Sequence, residues 1–108
     1  MKKNNKKEKR DEFRKNKDTG HPSYIYEKVG SKYVFIGLTH SPITHKTKNI
    51  KLDKNPNPQD NKDAYFRPKP KEAPAKRFKK KESGWKLSQS DKKKADKIVN
   101  DSKKGQKK

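Results

Sequence analysis

The strongest constraint on the fold of this chain is one apolar stretch, residues 24–40, which has the form of a β-hairpin. At its middle, Val29-Gly30-Ser31-Lys32 offers a two-residue turn with Gly at the first central position, as a type II′ hairpin requires. Residues that pair across such a turn share a face of the sheet, and the faces alternate along each strand. The turn predicts these pairs: Val29 with Lys32, Glu27 with Val34, Tyr26 with Phe35, and Ile25 with Ile36.

The predicted pairing divides the hairpin into an aliphatic face and an aromatic face. We expect the aliphatic face to be core, and it carries Ile25, Glu27, Val29, Val34, Ile36, Leu38 and His40. The aromatic face carries Tyr24, Tyr26, Lys28, Tyr33, Phe35, Gly37 and Thr39. Two interpretations of the aromatic face stay open. Its rings could stack bases, as in OB-folds and other single-strand binders, or a C-terminal helix could cover them and make a second core.

Apolar residues are scarce outside the hairpin region. Only 23% of the 108 residues are hydrophobic and 43% are charged, against about 45–50% and about 25% in an ordinary globular domain. Fifteen of the apolar residues lie between His21 and Arg67. We therefore predict an ordered domain over residues 21–100, a disordered basic arm at residues 1–20 and a disordered basic tail at residues 101–108. The chain has no Cys, so neither a disulfide nor a cysteine-based zinc site can stabilise it.

Short strands follow the hairpin. Ile50–Leu52 and Ala64–Arg67 are strand candidates, and residues 41–49 are predicted to be a polar loop. Between the two strands, Asn55-Pro56-Asn57-Pro58 favours turns and extended backbone. This loop either sets the strand register as a rigid surface element or presents Asn amides to a nucleotide or a protein partner.

A connector and one helix complete the predicted fold. Residues 68–84 form an extended, Pro- and Lys-rich connector. Ser88 or Ser90 is a suitable N-cap for a helix over residues 89–100. Its apolar stripe is Ala95, Ile98 and Val99, at i, i+3 and i+4. The prediction is a small α+β domain in which a twisted antiparallel sheet of three to five strands packs on this helix, a partial barrel of the SH3 or OB type being one form of such a sheet.

The charge of the chain indicates a polyanionic partner. The formal net charge is +20, and residues 68–108 alone contain sixteen basic and five acidic residues. A chain with this charge binds polyanions by counterion release, and a pI above about 9 is the usual footprint of nucleic-acid binding. We expect RNA or DNA as the partner, no membrane and a cytoplasmic setting, since neither a transmembrane stretch nor a secretory signal is present in the sequence.

The candidate nucleic-acid-binding residues combine basic side chains with two rings of the hairpin. Contacts between Lys or Arg side chains and phosphate strengthen binding but carry no sequence information. The candidates are Lys28, Lys32, Tyr33, Phe35, Arg67, Lys76, Arg77, Lys79, Lys80 and Lys81. The basic runs among them have a plainer interpretation as solvated surface.

Catalysis is the alternative to binding alone. A metal-independent ribonuclease needs a proton acceptor, a proton donor and a cation for the charge of the phosphorane. His40, His45, Tyr65 and Arg67 could supply these roles. The plainer interpretation is that His40 ends a strand and His45 lies in a solvated loop. No metal or other cofactor is expected, and there is no Gly-rich phosphate loop.

The succession Thr-His-Ser, Asn-Ile-Lys-Leu-Asp-Lys-Asn-Pro-Asn-Pro and Tyr-Phe-Arg-Pro resembles small basic proteins of bacterial plasmids, phages and integrative elements. The resemblance covers about residues 21–100 and implies a bacterial, cytoplasmic setting on a mobile element, without an activity. A basic, strand-rich core with a C-terminal helix also looks like the small barrels of ribonuclease toxins, but no catalytic motif of those families occurs here. The leading hypothesis is a non-enzymatic nucleic-acid-binding protein of limited sequence specificity. The alternatives are a metal-independent endoribonuclease and a protein-interaction module of a mobile element.

Overall fold

The protein has an α+β fold in which an antiparallel sheet of many strands packs on one C-terminal helix. The computed structural model describes residues 7–106, and the side chains of residues 7–102. The strands are β1 (Lys7–Asn16), β2 (Pro22–Val29), β3 (Lys32–Thr39), β4 (Ile43–Thr44), β5 (Thr47–Lys48), β6 (Ile50–Lys51), β7 (Tyr65–Phe66), β8 (Lys71–Pro74) and β9 (Phe78–Lys81). A 3₁₀ turn, η1 (Ala75–Arg77), joins β8 to β9, and the helix is α1 (Gln89–Gln106).

The main sheet has seven strands in the order β6-β7-β3-β2-β1-β9, and β8 is its seventh strand. Two strands share the outer edge of β3: β8 pairs with its first half and β7 with its last two residues. Because η1 joins β8 on one side of the sheet to β9 on the other, the sheet curves back on itself. The sheet is thus larger than the three to five strands expected, and its likeness to SH3 or OB barrels stays a prediction.

The hairpin turn forms as its sequence predicts. Val29 pairs with Lys32. Gly30 has a positive φ of 63° and Ser31 does not have a positive φ, which is the pattern of a type II′ turn. Pairing then shifts by one residue, because Tyr26 is extra on β2 and forms a bulge. The predicted pairs of Tyr26 with Phe35 and of Ile25 with Ile36 are therefore wrong. Ile25 pairs with Phe35, and Tyr24 pairs with Ile36.

The bulge redistributes the side chains between two cores. Tyr24 and Tyr26 join Ile36 and Leu38 in a main core beneath the helix. Ile25 instead joins Tyr33 and Phe78 in a second core, with Phe35 partly buried against it. The predicted division into an aliphatic and an aromatic face is wrong beyond the bulge, and the helix covers only two of the four rings.

The disordered arm predicted for residues 1–20 is wrong for residues 7–20. Residues 7–16 form β1, which lies between β2 and β9. Its anchor is Phe13, which is 1% exposed and contacts the rings of Tyr24 and Trp85 at centroid distances of 5.2 and 5.6 Å. One buried ring and two strand partners hold this basic segment. Residues 1–6 of the predicted arm lie outside the described residues.

The middle of the chain is more regular than predicted. The strands expected near Ile50 and Tyr65 form as β6 and β7, which pair with each other. The loop expected at residues 41–49 contains the small hairpin β4–β5, with His45 and Lys46 at its tip in left-handed backbone conformations. The connector predicted at residues 68–84 contains two paired strands, β8 and β9, with the 3₁₀ turn η1 between them.

The helix begins where predicted and continues six residues beyond the predicted end at residue 100, to Gln106. Ser88 is the N-cap, because its hydroxyl accepts the backbone N–H of Asp91 at 3.2 Å. An ion pair of 3.0 Å between Lys97 and Asp101 bridges the predicted boundary. The tail predicted to be disordered at residues 101–108 is therefore helical to residue 106, and residues 107–108 lie outside the described residues.

Polar contacts fix the helix to β1 and β2. Asp11 lies in a bulge of β1 with a φ of 47°, and its carboxylate accepts the Tyr24 hydroxyl at 2.8 Å and pairs with Lys92 of the helix at 3.2 Å. The Tyr26 hydroxyl donates to Asp96 at 2.8 Å. Burial, followed by these hydrogen bonds, raises the pKa of both tyrosines well above the ordinary value. Both hydroxyls therefore stay protonated donors.

Candidate nucleic-acid interface

A basic groove opens on the sheet around Phe35, which is partly exposed there. We call it the Phe35 groove; its volume is about 340 Å³. The ring of Phe35 stands at 71° to that of Phe78, with the centroids 5.1 Å apart. The groove is lined by Asn16, Thr19, His21, Pro22, Ser23, Phe35, Gly37, Leu38, Thr39, Thr44, Arg67, Lys69 and Lys71. An aromatic ring and three permanent cations thus lie in one concavity.

The backbone of β3 positions Arg67 in this groove. The Arg67 N–H donates to the Gly37 carbonyl at 2.9 Å. A methyl group added at Gly37 would come within 3.1 Å of the Arg67 side-chain stem, so the missing side chain makes room for it. The guanidinium donates to the amide oxygen of Asn49 at 2.5 Å. Among the described residues no carboxylate forms an ion pair with Arg67, so its charge is not neutralised.

Neighbouring cations are also without ion-pair partners. Within the described residues no carboxylate pairs with Lys69 or Lys71, although ten ion pairs of Lys or Arg form elsewhere, half of them with residues of the helix. The same holds for the exposed Lys76, Lys79, Lys80 and Lys81 on η1 and β9, whereas Arg77 pairs with Asp18 at 3.1 Å. The excess positive charge therefore extends along β8, η1 and β9.

A second concavity, of about 520 Å³, adjoins the Phe35 groove at the start of β2. We call it the His40 cleft. In it the His40 ring Nε2 lies 2.7 Å from the Asp60 carboxylate. The hydrogen bond from His40, followed by one from the Lys62 backbone, lowers the pKa of Asp60. The cleft is lined by Lys15, Gly20, His21, Pro22, Leu38, Thr39, His40, Ser41, Asn55, Asn57, Asp60, Ala64 and Trp85.

Hydrogen bonds within the Asn-Pro loop position Asp60 in this cleft. Asn55, Asn57 and Asp60 each accept the backbone N–H two residues on, at 2.9, 3.0 and 3.1 Å. The Asn55 amide also donates to the Lys62 carbonyl at 2.9 Å. The loop is therefore tied together by its own hydrogen bonds, and the Asn55 amide is occupied within it.

The structure separates the predicted binding residues into groups. Phe35 and Arg67 lie together in the Phe35 groove, and Lys76, Arg77 and Lys79–Lys81 lie on η1 and β9. Lys28 and Lys32 flank the hairpin turn instead. Tyr33 is 6% exposed, with the Arg14 guanidinium 5.3 Å from its ring centre, so it offers little surface for stacking.

The four candidate nuclease residues do not share one cavity. His40 lines the His40 cleft, Arg67 lines the Phe35 groove, and His45 and Tyr65 line neither. No group of three or more metal-ligating side chains lies together in the described part of the chain.

Residues that the sequence did not single out complete both concavities. Lys69 precedes β8 and Lys71 is its first residue, with Pro70 between them. Lys15 belongs to β1, in the arm that was expected to be disordered. The alternation of Pro and Lys at residues 68–71 is the one sequence pattern that could have indicated Lys69 and Lys71 as binding residues. His21 joins both concavities only through the fold, because it precedes β2.

Within residues 7–106, α1 is too polar to cross a lipid bilayer. The runs that resemble proteins of mobile elements lie at the end of β3, across β6 with the Asn-Pro loop, and on β7 with the residues after it. That resemblance stays a prediction, because comparisons with protein-family models, with curated proteins and with solved structures found no match to this chain.

Proposed function

We propose that this protein binds nucleic acid, contacting the phosphate backbone through Lys and Arg with little sequence preference. One observation carries the proposal: Arg67, Lys69 and Lys71 line one groove with a partly exposed Phe35 and have no ion-pair partner among the described residues. A phosphodiester would supply the missing negative charge, and its binding would release condensed counterions. Phosphates are identical at every nucleotide and every base has a π-face, so such a groove discriminates weakly between sequences.

Salt dependence tests the proposal. Affinity for a short RNA or DNA is expected to fall steeply as salt rises, with a slope of about −0.7 per contacted phosphate for single strands on logarithmic axes. The Lys69→Gln/Lys71→Gln double variant should weaken binding and reduce that slope by about 1.4. Lys93→Gln is the matched control, because Lys93 is exposed on the helix and lines neither concavity.

Binding that does not change with salt, or an equal loss in the Lys93→Gln control, would contradict the proposal. Titrations of the intact chain at several salt concentrations, with thermal unfolding of each variant, provide the measurement.

A second candidate function, cleavage of RNA, is favoured by the His40 cleft. The Asp60 carboxylate can only accept, so the Nε2 of His40 donates to it, and Nδ1 is the basic atom of the corresponding neutral tautomer. His21 and Lys15 line the same cleft. In this scheme Nδ1 of His40 takes the proton of a ribose 2′-hydroxyl as that oxygen bonds to phosphorus. His21 gives a proton to the departing 5′-oxygen, and Lys15 stabilises the phosphorane charge. The products are a 2′,3′-cyclic phosphate and a 5′-hydroxyl.

Cleavage of RNA in EDTA tests this second function. His40→Gln and His21→Gln should each slow cleavage by about 100-fold or more, the usual contribution of a general acid or base. His45→Gln is the control, because His45 lies at the tip of β4–β5 outside the cleft. RNA that is bound but left intact, or cleavage that survives His40→Gln, excludes it without affecting the binding proposal.

A further inference from the structure

The Phe35 groove and the His40 cleft share one wall. Both are lined by His21, Pro22, Leu38 and Thr39. These four residues lie at the start of β2 and the end of β3, just beyond the last pair of the two strands, Ser23 with Gly37. A chain that leaves one concavity across this shared wall therefore enters the other.

Each concavity contains one partly exposed aromatic ring. Most rings of the described residues are buried, and the partly exposed ones are Phe35, Tyr65 and Trp85. Phe35 lies in the groove and Trp85 in the cleft, while Tyr65 lines neither. Trp85 is held by the Phe13 ring, and the next residue is fixed by a hydrogen bond from the Lys86 N–H to the Pro56 carbonyl at 3.2 Å.

Basic and titratable groups accompany the two rings along this surface. Arg67, Lys69 and Lys71 lie in the groove, His21 lies at the junction, and Lys15 lies in the cleft. The nearest carboxylate oxygen to the Lys15 ammonium is that of Glu82 at 3.9 Å, a long contact between partly exposed side chains, which a phosphate can replace. Rings for bases and cations for phosphates thus occur together on both sides of the shared wall.

We propose that the two concavities form one path for a single strand of nucleic acid, with one base against Phe35 and another against Trp85. This inference rests on the proposed function and adds the substrate class. The bases of a duplex are stacked on each other, so their faces cannot reach the two rings, whereas unstacked bases of a single strand can. The protein therefore prefers a single strand to a duplex of the same sequence.

The fluorescence of Trp85 tests the path directly. Trp85 is the only tryptophan of the chain, so the tryptophan signal comes from this site alone. The unmodified protein is titrated with oligodeoxythymidylates of increasing length, with a single strand of mixed sequence and with the matching duplex. We expect quenching only by single strands long enough to reach both rings, and weaker binding of the duplex. Unchanged fluorescence when the protein is saturated with the longest single strand would overturn the path, and so would equal affinity for the duplex.

Variants separate the two rings. Phe35→Leu and Trp85→Leu should each weaken binding of the long single strand by about 5- to 150-fold, as the loss of one stacked base does, and should affect the duplex less. Tyr65→Leu is the control with a partly exposed ring outside the path.

Thermal unfolding checks each variant, and the fluorescence of the unmodified chain decides the question if Trp85→Leu does not fold. An equal loss in Tyr65→Leu overturns the path and leaves the binding proposal intact. Failure of the unmodified chain to bind any of the oligonucleotides at low salt overturns both.

Discussion

Asp91 is a fully buried carboxylate at the start of the helix. It accepts the backbone N–H groups of Asp53 and Lys54 at 2.8 to 3.2 Å and pairs with the Lys94 ammonium at 3.0 Å. The sequence indicates an acidic residue suited to a first helical turn, which is a local property. It does not indicate the two amide groups that bury the carboxylate, since they come from 37 and 38 positions earlier in the chain.

Replacing Asp91 should be costly. Asp91→Ala leaves two N–H groups and the Lys94 ammonium without their acceptor, so we expect the free energy of unfolding to fall by about 3 kcal/mol. Asp101→Ala removes an exposed ion pair with Lys97 on the helix and should lower the free energy of unfolding by about 0.5 kcal/mol or less. Urea unfolding of both variants measures the difference, and equal effects would show that Asp91 has no special role.

Two hydrogen-bonded carboxylates, Asp53 and Asp60, should make stability depend on pH. Hydrogen bonds from Ser90 and then Lys94 lower the pKa of Asp53, and the bond from His40 lowers that of Asp60. A lowered folded-state pKa means that the stabilisation is present above the unfolded value of about 3.9 and is lost as pH falls through the folded value. Unfolding measured from about pH 6 to pH 2 should therefore show a smaller acid loss in the Asp53→Asn/Asp60→Asn double variant than in the unmodified chain. Parallel curves would contradict this.

At the scale of secondary structure, elements with local signals were predictable and those with distant partners were not. The turn at Gly30 and the N-cap at Ser88 follow from short sequence patterns. The bulge at Tyr26 has no such signal. It lies opposite the bulge at Asp11 on β1, and Asp11 in turn pairs with Lys92 of the helix, so it depends on partners that are distant in the sequence. Strand β1 was missed because its charged residues outnumber its single large apolar one.

The placement of β1 predicts a large effect for one substitution. Phe13→Ala should lower the free energy of unfolding by about 3–5 kcal/mol, the usual cost of removing a buried phenyl ring. Phe13→Leu is the matched control and should cost less, because it leaves a smaller cavity. If residues 7–20 were disordered, neither variant would change the urea midpoint.

At the scale of the whole molecule, the sequence predicts the α+β class and the cationic character, whereas the site depends on the fold. Composition alone shows the net charge of +20. Ion pairing then neutralises many cations near the helix and leaves those of the Phe35 groove unmatched. Of the predicted binding residues, Phe35 and Arg67 reach this groove, whereas Tyr33 is buried against Phe78 and the Arg14 guanidinium.

The net charge predicts how ligands affect thermal stability. Repulsion among unmatched cations opposes the compact state, so a bound polyanion should raise the unfolding temperature. At a concentration of about 100 times its Kd, a single-stranded oligonucleotide should add about 2.7 kcal/mol to the free energy of unfolding. Thermal unfolding with and without it measures the effect, with a neutral peptide nucleic acid of the same sequence as control. Equal stabilisation by the neutral analogue would contradict the electrostatic account.

The pairing of β1 with β9 has a consequence for how the chain folds. Arg14 pairs with Lys81, which lies 67 positions later in the chain, so β1 needs a neighbour that is synthesised well after it. During translation β1 keeps an open edge until β9 has left the ribosome, and the curved sheet cannot close earlier. Sheets that depend on such distant pairings fold slowly for their size, in about milliseconds to seconds. A nascent chain that stalls before β9 would therefore leave the β1 edge of this sheet open.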